Sequence, residues 1–400
     1  MSRLIFHRWM PIAIVLLVGS AVGQAVGPAS APAAMMPADV VNPNALQRLN
    51  LYVAKLDKPR FEWKDRDWPA KPGEASVCLW KDDAYAAAST GIDDNEAYNL
   101  PWWMPELKKF DLKPTWWLVT ATIKDGPAGS GQNGGTWEDW KKVIAAGYEV
   151  GSHTVDHLNS GVPTWDNMDI QYGDSKKAIE AHLGVRCLTM SYPGGVGMEK
   201  NDASVAAKYY IAARGRGYAN TAGKIDYLQI RDESGFVVRA NKKVFWDDGS
   251  LEDVVDHEGR QRRGWWVGFL HWIHGDNAKE IAELEERFAY IADKVKSGEL
   301  WLGFFSEVAR YGQERDTATL TVKSVAVDKI VLDLRDEMND LLFDFPLTVK
   351  VRIDDTCASI TATQNNKPVG CKIIEHEKAK FALVQAVPDR GLVVLLPRRM

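Results

Sequence analysis

The chain of 400 residues has few cysteines and no basic cluster interleaved with aromatic residues. Its four cysteines do not have the spacing of a zinc finger, which excludes that class of structural metal module. A net charge of -5 argues against a general nucleic-acid binder, which would present a basic face. An apolar run at residues 11–22 is too short for a comfortable membrane span. No internal repeat is visible, so the pattern indicates an ordinary globular protein.

The N-terminus has the pattern of an export signal. A basic start with Arg3, His7 and Arg8 precedes the apolar run, and small residues follow it. We therefore predict a signal peptide over residues 1–25 and a flexible extension over residues 26–70. The mature protein is then secreted or periplasmic and has no membrane span. An uncleaved N-terminal anchor is the alternative.

Export would place the cysteines in an oxidising compartment. Cys357 and Cys371 lie close together in a strand-rich tail, where they could staple a hairpin. Cys78 and Cys187 each lie in an apolar, strand-like run. We expect these two to be buried free thiols, because a free cysteine behaves as a small hydrophobic residue.

Short apolar runs alternate with amphipathic stretches over residues 71–315. Repeated strand-then-helix units predict parallel strands joined by crossover helices. The fold class predicted is therefore α/β, an incomplete or distorted (β/α) barrel with its chemistry at the C-terminal strand ends. The strands are expected at residues 75–80, 115–120, 148–152, 186–192, 265–273 and 301–305.

The pattern changes near residue 317. Polar and apolar residues then alternate with period two, turn residues punctuate the runs, and no helix-length pattern remains. Residues 316–400 are therefore predicted to form an all-β, sandwich-like domain. It is either a glycan-binding module or a companion domain that adds stability.

Two short segments carry most of the chemistry that the sequence offers. Asp82 and Asp83 follow the apolar run 75–80, and His153 and His157 follow another predicted strand. One carboxylate and two imidazoles can hold a divalent metal, and the second carboxylate can act as a base. The pattern indicates a hydrolase that uses a metal-activated water. A solvated turn at the aspartates and a polar loop at the histidines are the alternative.

These segments resemble the first two motifs of the NodB-type polysaccharide deacetylases, carbohydrate esterase family 4. That family has Thr-Phe-Asp-Asp-Gly and His-(Ser/Thr)-x-x-His. This chain has Trp-Lys-Asp-Asp-Ala at residues 80–84 and His-Thr-Val-Asp-His at residues 153–157. The resemblance covers about residues 74–312 and implies a distorted (β/α)7 barrel of the NodB type.

The resemblance also implies roles for the four residues. Asp82 would be the general base, and Asp83, His153 and His157 would hold the metal. Zinc is the expected ion for this ligand set, and manganese or cobalt could use the same ligands.

Two further segments resemble later motifs of the family. Tyr192, Pro193 and Gly194 fall in the family's groove loop, where the Gly194 N–H would stabilise the oxyanion. Ser191 stands where the family has the arginine that orients the base. His271 ends an apolar run and resembles the catalytic acid, with His274 as a rival.

Aromatic side chains are frequent around these motifs, with 16 tryptophans in the chain. Trp80 and Trp272 are predicted to lie closest to the site and to contact sugar rings. Burial in the barrel core is the alternative for most of the tryptophans.

The resemblance implies a metal-dependent polysaccharide deacetylase, a hydrolase acting on carbon–nitrogen bonds other than peptide bonds, and the export signal predicts that it is secreted. Its substrate would be an N-acetylated polysaccharide. One alternative is an O-acetyl esterase of the xylan type. The other is an inactive, glycan-binding homologue, which the altered first motif and the missing arginine leave open.

Overall fold

The computed structural model describes residues 66–131, 133–157, 167–194, 203–215, 220–231, 233–234, 251–255, 263–271, 273, 275 and 277–399. The predicted signal peptide and most of the predicted extension lie outside these ranges. Trp272 and His274 also lie outside them. Among the helices in these ranges, none has the length and apolar character needed to cross a membrane.

The strands of the described residues are numbered in chain order. They are β1 (Ala75–Val77), β2 (Ala86–Ile92), β3 (Pro114–Leu118), β4 (Glu149–Ser152), β5 (Thr189–Ser191), β6 (Ala212–Arg214), β7 (Glu233–Ser234), β8 (Trp265–Leu270), β9 (Leu300–Leu302), β10 (Thr319–Ala326), β11 (Lys329–Arg335), β12 (Leu347–Arg352), β13 (Cys357–Gln364), β14 (Lys367–Val369), β15 (Cys371–His376), β16 (Ala379–Ala386) and β17 (Val393–Arg399). The α-helices are α1 (Leu100–Lys109), α2 (Trp137–Ala145), α3 (Ser175–Leu183), α4 (Ala203–Tyr209), α5 (Leu251–Val255), α6 (Ala278–Lys296) and α7 (Phe305–Thr317).

Strands β2 to β9 form one parallel, curled sheet. Its order is β6-β5-β4-β3-β2-β8-β7, with β9 beside β2. This arrangement confirms the predicted distorted barrel of the NodB type. Because the strands are parallel, their C-terminal ends meet at one edge of the sheet, where α/β proteins carry their sites.

The C-terminal strands form two antiparallel sheets, which confirms the predicted all-β region. One sheet has the order β1-β12-β16-β15 and the other β10-β11-β17-β13-β14. Strand β1 comes from the segment before the barrel, and its Ala75 pairs with Val351 of β12. The expectation that residues 75–80 form the first barrel strand is therefore wrong. The first strand of the parallel sheet is β2.

Six of the seven residues of strand β2 are small (Ala, Ser, Thr or Gly), the last is Ile92, and all seven are buried. A parallel strand covered on both faces must be apolar, but it need not be bulky. Here the bulk comes from the neighbours, because Trp116, Trp117 and Trp265 are fully buried beside it. A Cβ atom added at Gly91 would lie 2.4 Å from the Trp117 indole nitrogen. Small residues on β2 and large residues on β3 and β8 therefore fill the sheet's core together.

Helix α7 joins the barrel to the β region through an almost wholly buried surface. Its Tyr311 hydroxyl donates to the Cys78 carbonyl at 2.9 Å, and Arg315 donates to the Leu79 carbonyl at 2.6 Å. Trp80 packs against Tyr311 and Trp301, and its indole N–H donates to the Arg263 carbonyl. Because Trp80 is completely buried, the prediction that it lines a sugar-binding groove is wrong.

All four cysteines are free. Cys357 lies on β13 and Cys371 on β15, which belong to different sheets, so the predicted hairpin staple is wrong. Cys78 and Cys187 are buried free thiols, as predicted. Burial raises the pKa of the Cys187 thiol to about 12.

Substitution of Gly91 by alanine tests the size matching between β2 and β3. We expect Gly91→Ala to lower the free energy of unfolding by about 1–3 kcal/mol, because overpacking a filled core costs this much. Urea-induced unfolding measures the change. Gly275→Ala is the control, since its added Cβ would meet open space. Equal stability of the two variants would contradict the argument.

Candidate metal and catalytic site

Four strands of the parallel sheet, β2, β3, β4 and β8, end at one small site. Asp93 and Asp94 follow β2, and the Asp93 N–H donates to the Leu270 carbonyl at the end of β8. His153 follows β4, and its N–H donates to the Leu118 carbonyl at the end of β3. These backbone bonds extend the sheet by one residue and hold both side chains at its C-terminal edge.

Asp94, His153 and His157 bring one ligand atom each within 4.8 Å of one another. The Asp94 Oδ1 atom lies 3.5 Å from His153 Nε2 and 3.4 Å from His157 Nε2. This oxygen is buried and accepts no hydrogen bond from the described residues. A buried carboxylate oxygen facing two imidazole nitrogens is costly to leave without a partner, and this donor set is one that divalent zinc prefers. The residues therefore fit a metal ion.

The backbone around this group is strained. Asp94, Thr154 and His157 have φ angles of 66°, 71° and 62°. Such left-handed conformations are unfavourable for residues other than glycine, above all for β-branched threonine. They persist where the surrounding structure holds them, and they cluster at functional sites. The Thr154 hydroxyl accepts the His157 N–H at 3.0 Å, which helps to curl the loop back.

One hydrogen bond orients the His153 ring, and burial favours its neutral form. Its Nδ1 atom lies 2.8 Å from the Ser191 carbonyl on β5, which leaves Nε2 to face Asp94. Burial lowers the pKa of the His153 imidazole, and nearby Asp93 opposes that effect in part. The low pKa favours the neutral ring, which is the form that binds metals.

Asp93 is held by an arginine from another strand. The Arg214 Nη2 atom, at the end of β6, lies 2.5 and 2.6 Å from the two carboxylate oxygens. The same nitrogen donates to the Ser191 hydroxyl at 2.6 Å. All three side chains are buried. Ser191 occupies the place of the motif arginine, and Arg214 supplies the guanidinium from the next strand in the sheet.

The structure does not bring Asp82 and Asp83 to the histidines, so their assignment to the metal site is wrong. Both precede β2 and lie at the opposite end of it, and a seven-residue strand spans roughly 23 Å. Asp83 is buried and pairs with Lys350 at 2.7 Å, and Asp82 pairs with Lys372 at 3.0 Å. Both lysines belong to the C-terminal β region, and Arg66 also lies 3.4 Å from the Asp83 carboxylate.

The error has a physical origin in the two apolar runs. Residues 75–80 contain Val, Leu and Trp and are typical of a strand, whereas β2 contains mostly Ala, Ser, Thr and Gly. Asp93 and Asp94 nevertheless stand in Gly-Ile-Asp-Asp-Asn, closer to Thr-Phe-Asp-Asp-Gly than the segment at 80–84 is. The asparagine after the pair was the available signal, because asparagine tolerates the left-handed backbone that glycine adopts.

His271 follows β8 and lies at the same edge. Its Nε2 atom is 3.9 Å from Asp94 Oδ2, and its side chain is 41% exposed. It is therefore next to the metal ligands and accessible from solvent. Its rival His274 lies outside the described residues, as does Trp272.

The loop after β5 contains the other predicted site residues. Tyr192 is buried, and its hydroxyl donates to the Leu228 carbonyl at 2.9 Å. Pro193 is also buried. The prediction that the Tyr192 and Pro193 side chains line an open substrate groove is therefore wrong. Gly194 is half-buried with φ 69°, a conformation that suits glycine. Its role as an oxyanion donor stays a prediction.

Comparison with known proteins identifies the fold around this site. Residues 74–212 match the family model described as polysaccharide deacetylase. The chain contains a polysaccharide deacetylase domain. The matched segment includes Asp93, Asp94, His153 and His157, but it ends before Arg214 and His271.

The chain also aligns with a gellan lyase of Bacillus sp. The two are 32% identical over 378 residues, which is 89% of this chain and 15% of the lyase. The chain thus spans about one-seventh of that relative's length.

Solved structures align with parts of the chain. The Streptococcus pyogenes deacetylase PplD in complex with acetate is 22% identical, with a TM-score of 0.30, over 35% of this chain and 61% of that chain. A family 4 acetyl xylan esterase from Clostridium thermocellum in complex with a cobalt ion is 13% identical, with a TM-score of 0.33, over 56% of this chain and 89% of that chain.

Exchanging the residues at positions 191 and 214 tests whether a guanidinium on either β5 or β6 can pair with the Asp93 carboxylate. Arg214→Ser leaves a buried carboxylate without its cation, and such a loss costs about 3–5 kcal/mol of stability. We expect the double variant Ser191→Arg/Arg214→Ser to regain part of that loss. Chemical unfolding measures both. A double variant no more stable than Arg214→Ser would contradict the pairing.

Proposed function

We propose that the chain is a metal-dependent deacetylase that hydrolyses N-acetyl groups of a polysaccharide. The observation that carries the proposal is the buried Asp94 oxygen, which faces both His153 and His157 beside an arginine-held Asp93. Asp94, His153 and His157 would hold the divalent ion, with zinc preferred for this ligand set. When bound, such an ion polarises a carbonyl group and lowers the pKa of water.

The protein's own residues supply the proton transfers. Asp93 accepts the proton of the attacking water, and Arg214 keeps its carboxylate oriented. The water oxygen bonds to the acetyl carbon, and the Gly194 N–H donates to the resulting oxyanion. Protonated His271 then gives its proton to the sugar nitrogen as the carbon–nitrogen bond breaks. Acetate and a free amine leave the site.

Two observations oppose an inactive, glycan-binding homologue. The aspartate pair beside the histidines is Asp93 and Asp94, so the altered residues around Asp82 and Asp83 do not affect the site. The guanidinium expected at residue 191 is supplied by Arg214. The same groups could also release an O-acetyl group, in which case His271 would protonate an alcohol. The two activities differ in the leaving atom, nitrogen or oxygen. Acetate release from N-acetylated and from O-acetylated polysaccharides distinguishes them.

The substrate is proposed as an extracellular polysaccharide. The export signal predicted for residues 1–25 supports a secreted or periplasmic enzyme. Because the aligned relative is named a gellan lyase, gellan belongs among the substrates to be tested. The others are chitin oligomers, poly-N-acetylglucosamine, peptidoglycan and acetylxylan.

Metal binding is expected to depend on Asp94 and not on Asp82. Asp94→Asn removes a charged ligand and should weaken zinc binding by at least about 100-fold, since changes even to groups around metal ligands cost 10–100-fold. Asp82→Asn should leave the Kd unchanged, because Asp82 pairs with Lys372 at the other end of β2. Calorimetric titration of apo-protein with zinc measures both. Equal affinities would overturn the ligand assignment.

Acetate release tests the reaction and its base. We expect wild-type protein to release acetate from at least one of the polysaccharides named above. Asp93→Asn should lower kcat by about 10²–10⁴-fold, the usual contribution of a general base, without loss of bound zinc. Asp82→Asn is the matched control and should retain wild-type kcat. Full activity of Asp93→Asn, or no acetate from any substrate, would contradict the proposal.

A further inference from the structure

Asn95 completes the aspartate loop, residues 93–95, and its side chain is completely buried. Its backbone is in the left-handed region, with φ 55°. Glycine would adopt this conformation at less cost, so the backbone alone does not account for an amide side chain here. A buried amide needs hydrogen-bond partners, because an unpaired polar group in the interior costs free energy. The partners of this amide therefore indicate what it does.

The Asn95 amide pairs with the backbone of one residue at the end of β3. Its Oδ1 atom accepts the Val119 N–H at 2.6 Å, and its Nδ2 atom donates to the Val119 carbonyl at 3.0 Å. A second Nδ2 bond, to the Thr122 hydroxyl, is 3.1 Å long. The carbonyl oxygen and both N–H groups of the side chain are thus used. The amide continues the contact between β2 and β3 beyond their last backbone pair, Ile92 and Trp116.

The turn that follows β3 also binds the histidine loop, residues 153–157. The Thr120 N–H donates to the Thr154 carbonyl at 3.2 Å, and the Ala121 N–H donates to the Val155 carbonyl at 2.7 Å. Both acceptors lie between the two histidines of the candidate metal site. The end of β3 and its turn therefore hydrogen-bond to the aspartate loop on one side and to the histidine loop on the other.

The geometry points to Asn95 as a positioning residue that sets the distance between the carboxylate and the imidazole ligands. Its amide joins the aspartate loop to the segment that binds the histidine loop. Asp94 Oδ1 is thereby held 3.5 Å from His153 Nε2 and 3.4 Å from His157 Nε2. Asn95 acts on the metal through the position of Asp94 and not as a ligand. This inference rests on the proposed function, because it deepens the ligand assignment made there.

Asn95→Gly separates the amide pairing from the backbone conformation. Glycine adopts a φ of 55° readily, but it has no side chain to bind Val119. We expect Asn95→Gly to weaken zinc binding by about 10–100-fold, the usual cost of losing a group that orients a metal ligand. Calorimetric titration of the full-length apo-protein with zinc measures the Kd. An unchanged Kd would show that only the backbone conformation matters, and it would overturn the proposal.

Asn220 offers a matched control, because its buried amide makes the same kind of pairing elsewhere in the sheet. Its Oδ1 atom accepts the Arg231 N–H at 2.9 Å, and its Nδ2 atom donates to the Arg231 carbonyl at 3.0 Å. Nδ2 also donates to the carbonyl of Trp265, at the end of β8 opposite to His271. We expect Asn220→Gly to lower the resistance to urea, as Asn95→Gly does, and to leave the zinc Kd unchanged. An equal loss of zinc affinity in both variants would indicate a general loss of stability and refute positioning by Asn95.

Asn95→Asp tests the pairing by the sign of its effect. The carboxylate keeps an acceptor for the Val119 N–H but places an oxygen, instead of a donor, opposite the Val119 carbonyl. Added negative charge near a cation would by itself strengthen zinc binding, whereas displacement of Asp94 weakens it. We expect the Kd to rise. A lower Kd would contradict the positioning role.

The visible absorption of bound cobalt(II) reports the ligand geometry directly, since the geometry around a transition metal depends on how its ligands are placed. We expect both Asn95 variants to give spectra that differ from the wild-type spectrum, and Asn220→Gly to reproduce it. Wild-type spectra from the Asn95 variants would argue decisively against the proposal.

The positioning role and the deacetylase function fail in different ways. Zinc binding that Asn95→Gly weakens, without acetate release by the wild type, would support the positioning role and overturn the function. Acetate release by the wild type, with the same zinc Kd in Asn95→Gly, would do the reverse. A wild-type protein that binds neither zinc nor cobalt would overturn both.

Discussion

The site depends on the position of β2 at the centre of the parallel sheet. This strand is buried beside indole rings from β3 and β8, and six of its seven residues are small. Its central place delivers Asp93 and Asp94 to the edge where β3, β4 and β8 also end. A bulkier β2 would displace the tryptophans and with them the strands that carry His153 and His271.

The two aspartate pairs differ in their charged partners and therefore in their roles. Asp82 and Asp83 face lysines of one C-terminal sheet, on β15 and β12, and burial raises the pKa of Asp83 while Lys350 opposes that effect. This pair ties the segment before the barrel to the β region. Asp93 and Asp94 face Arg214 and the histidines, where one carboxylate is neutralised and the other has an unpartnered oxygen. Only the second arrangement favours a cation.

Ser191 and Arg214 show that the guanidinium that orients the Asp93 carboxylate can come from either of two neighbouring strands. Ser191 and Arg214 are paired in register on β5 and β6, so a guanidinium on either strand can reach the same carboxylate. The small Ser191 side chain leaves space for the longer one and also accepts a hydrogen bond from it. A motif read along one strand therefore misses a group that its neighbour supplies.

The sequence by itself determined the fold class, the change to an all-β region near residue 317 and the histidine pair. Each of these follows from local periodicity or from spacing within one loop. The choice between two Asp-Asp pairs, the source of the arginine and the burial of Trp80 were decided only by the tertiary structure. Those features depend on strand order and on which residues meet across the sheet. A linear pattern contains the donors of a site, but strand pairing determines which of them converge.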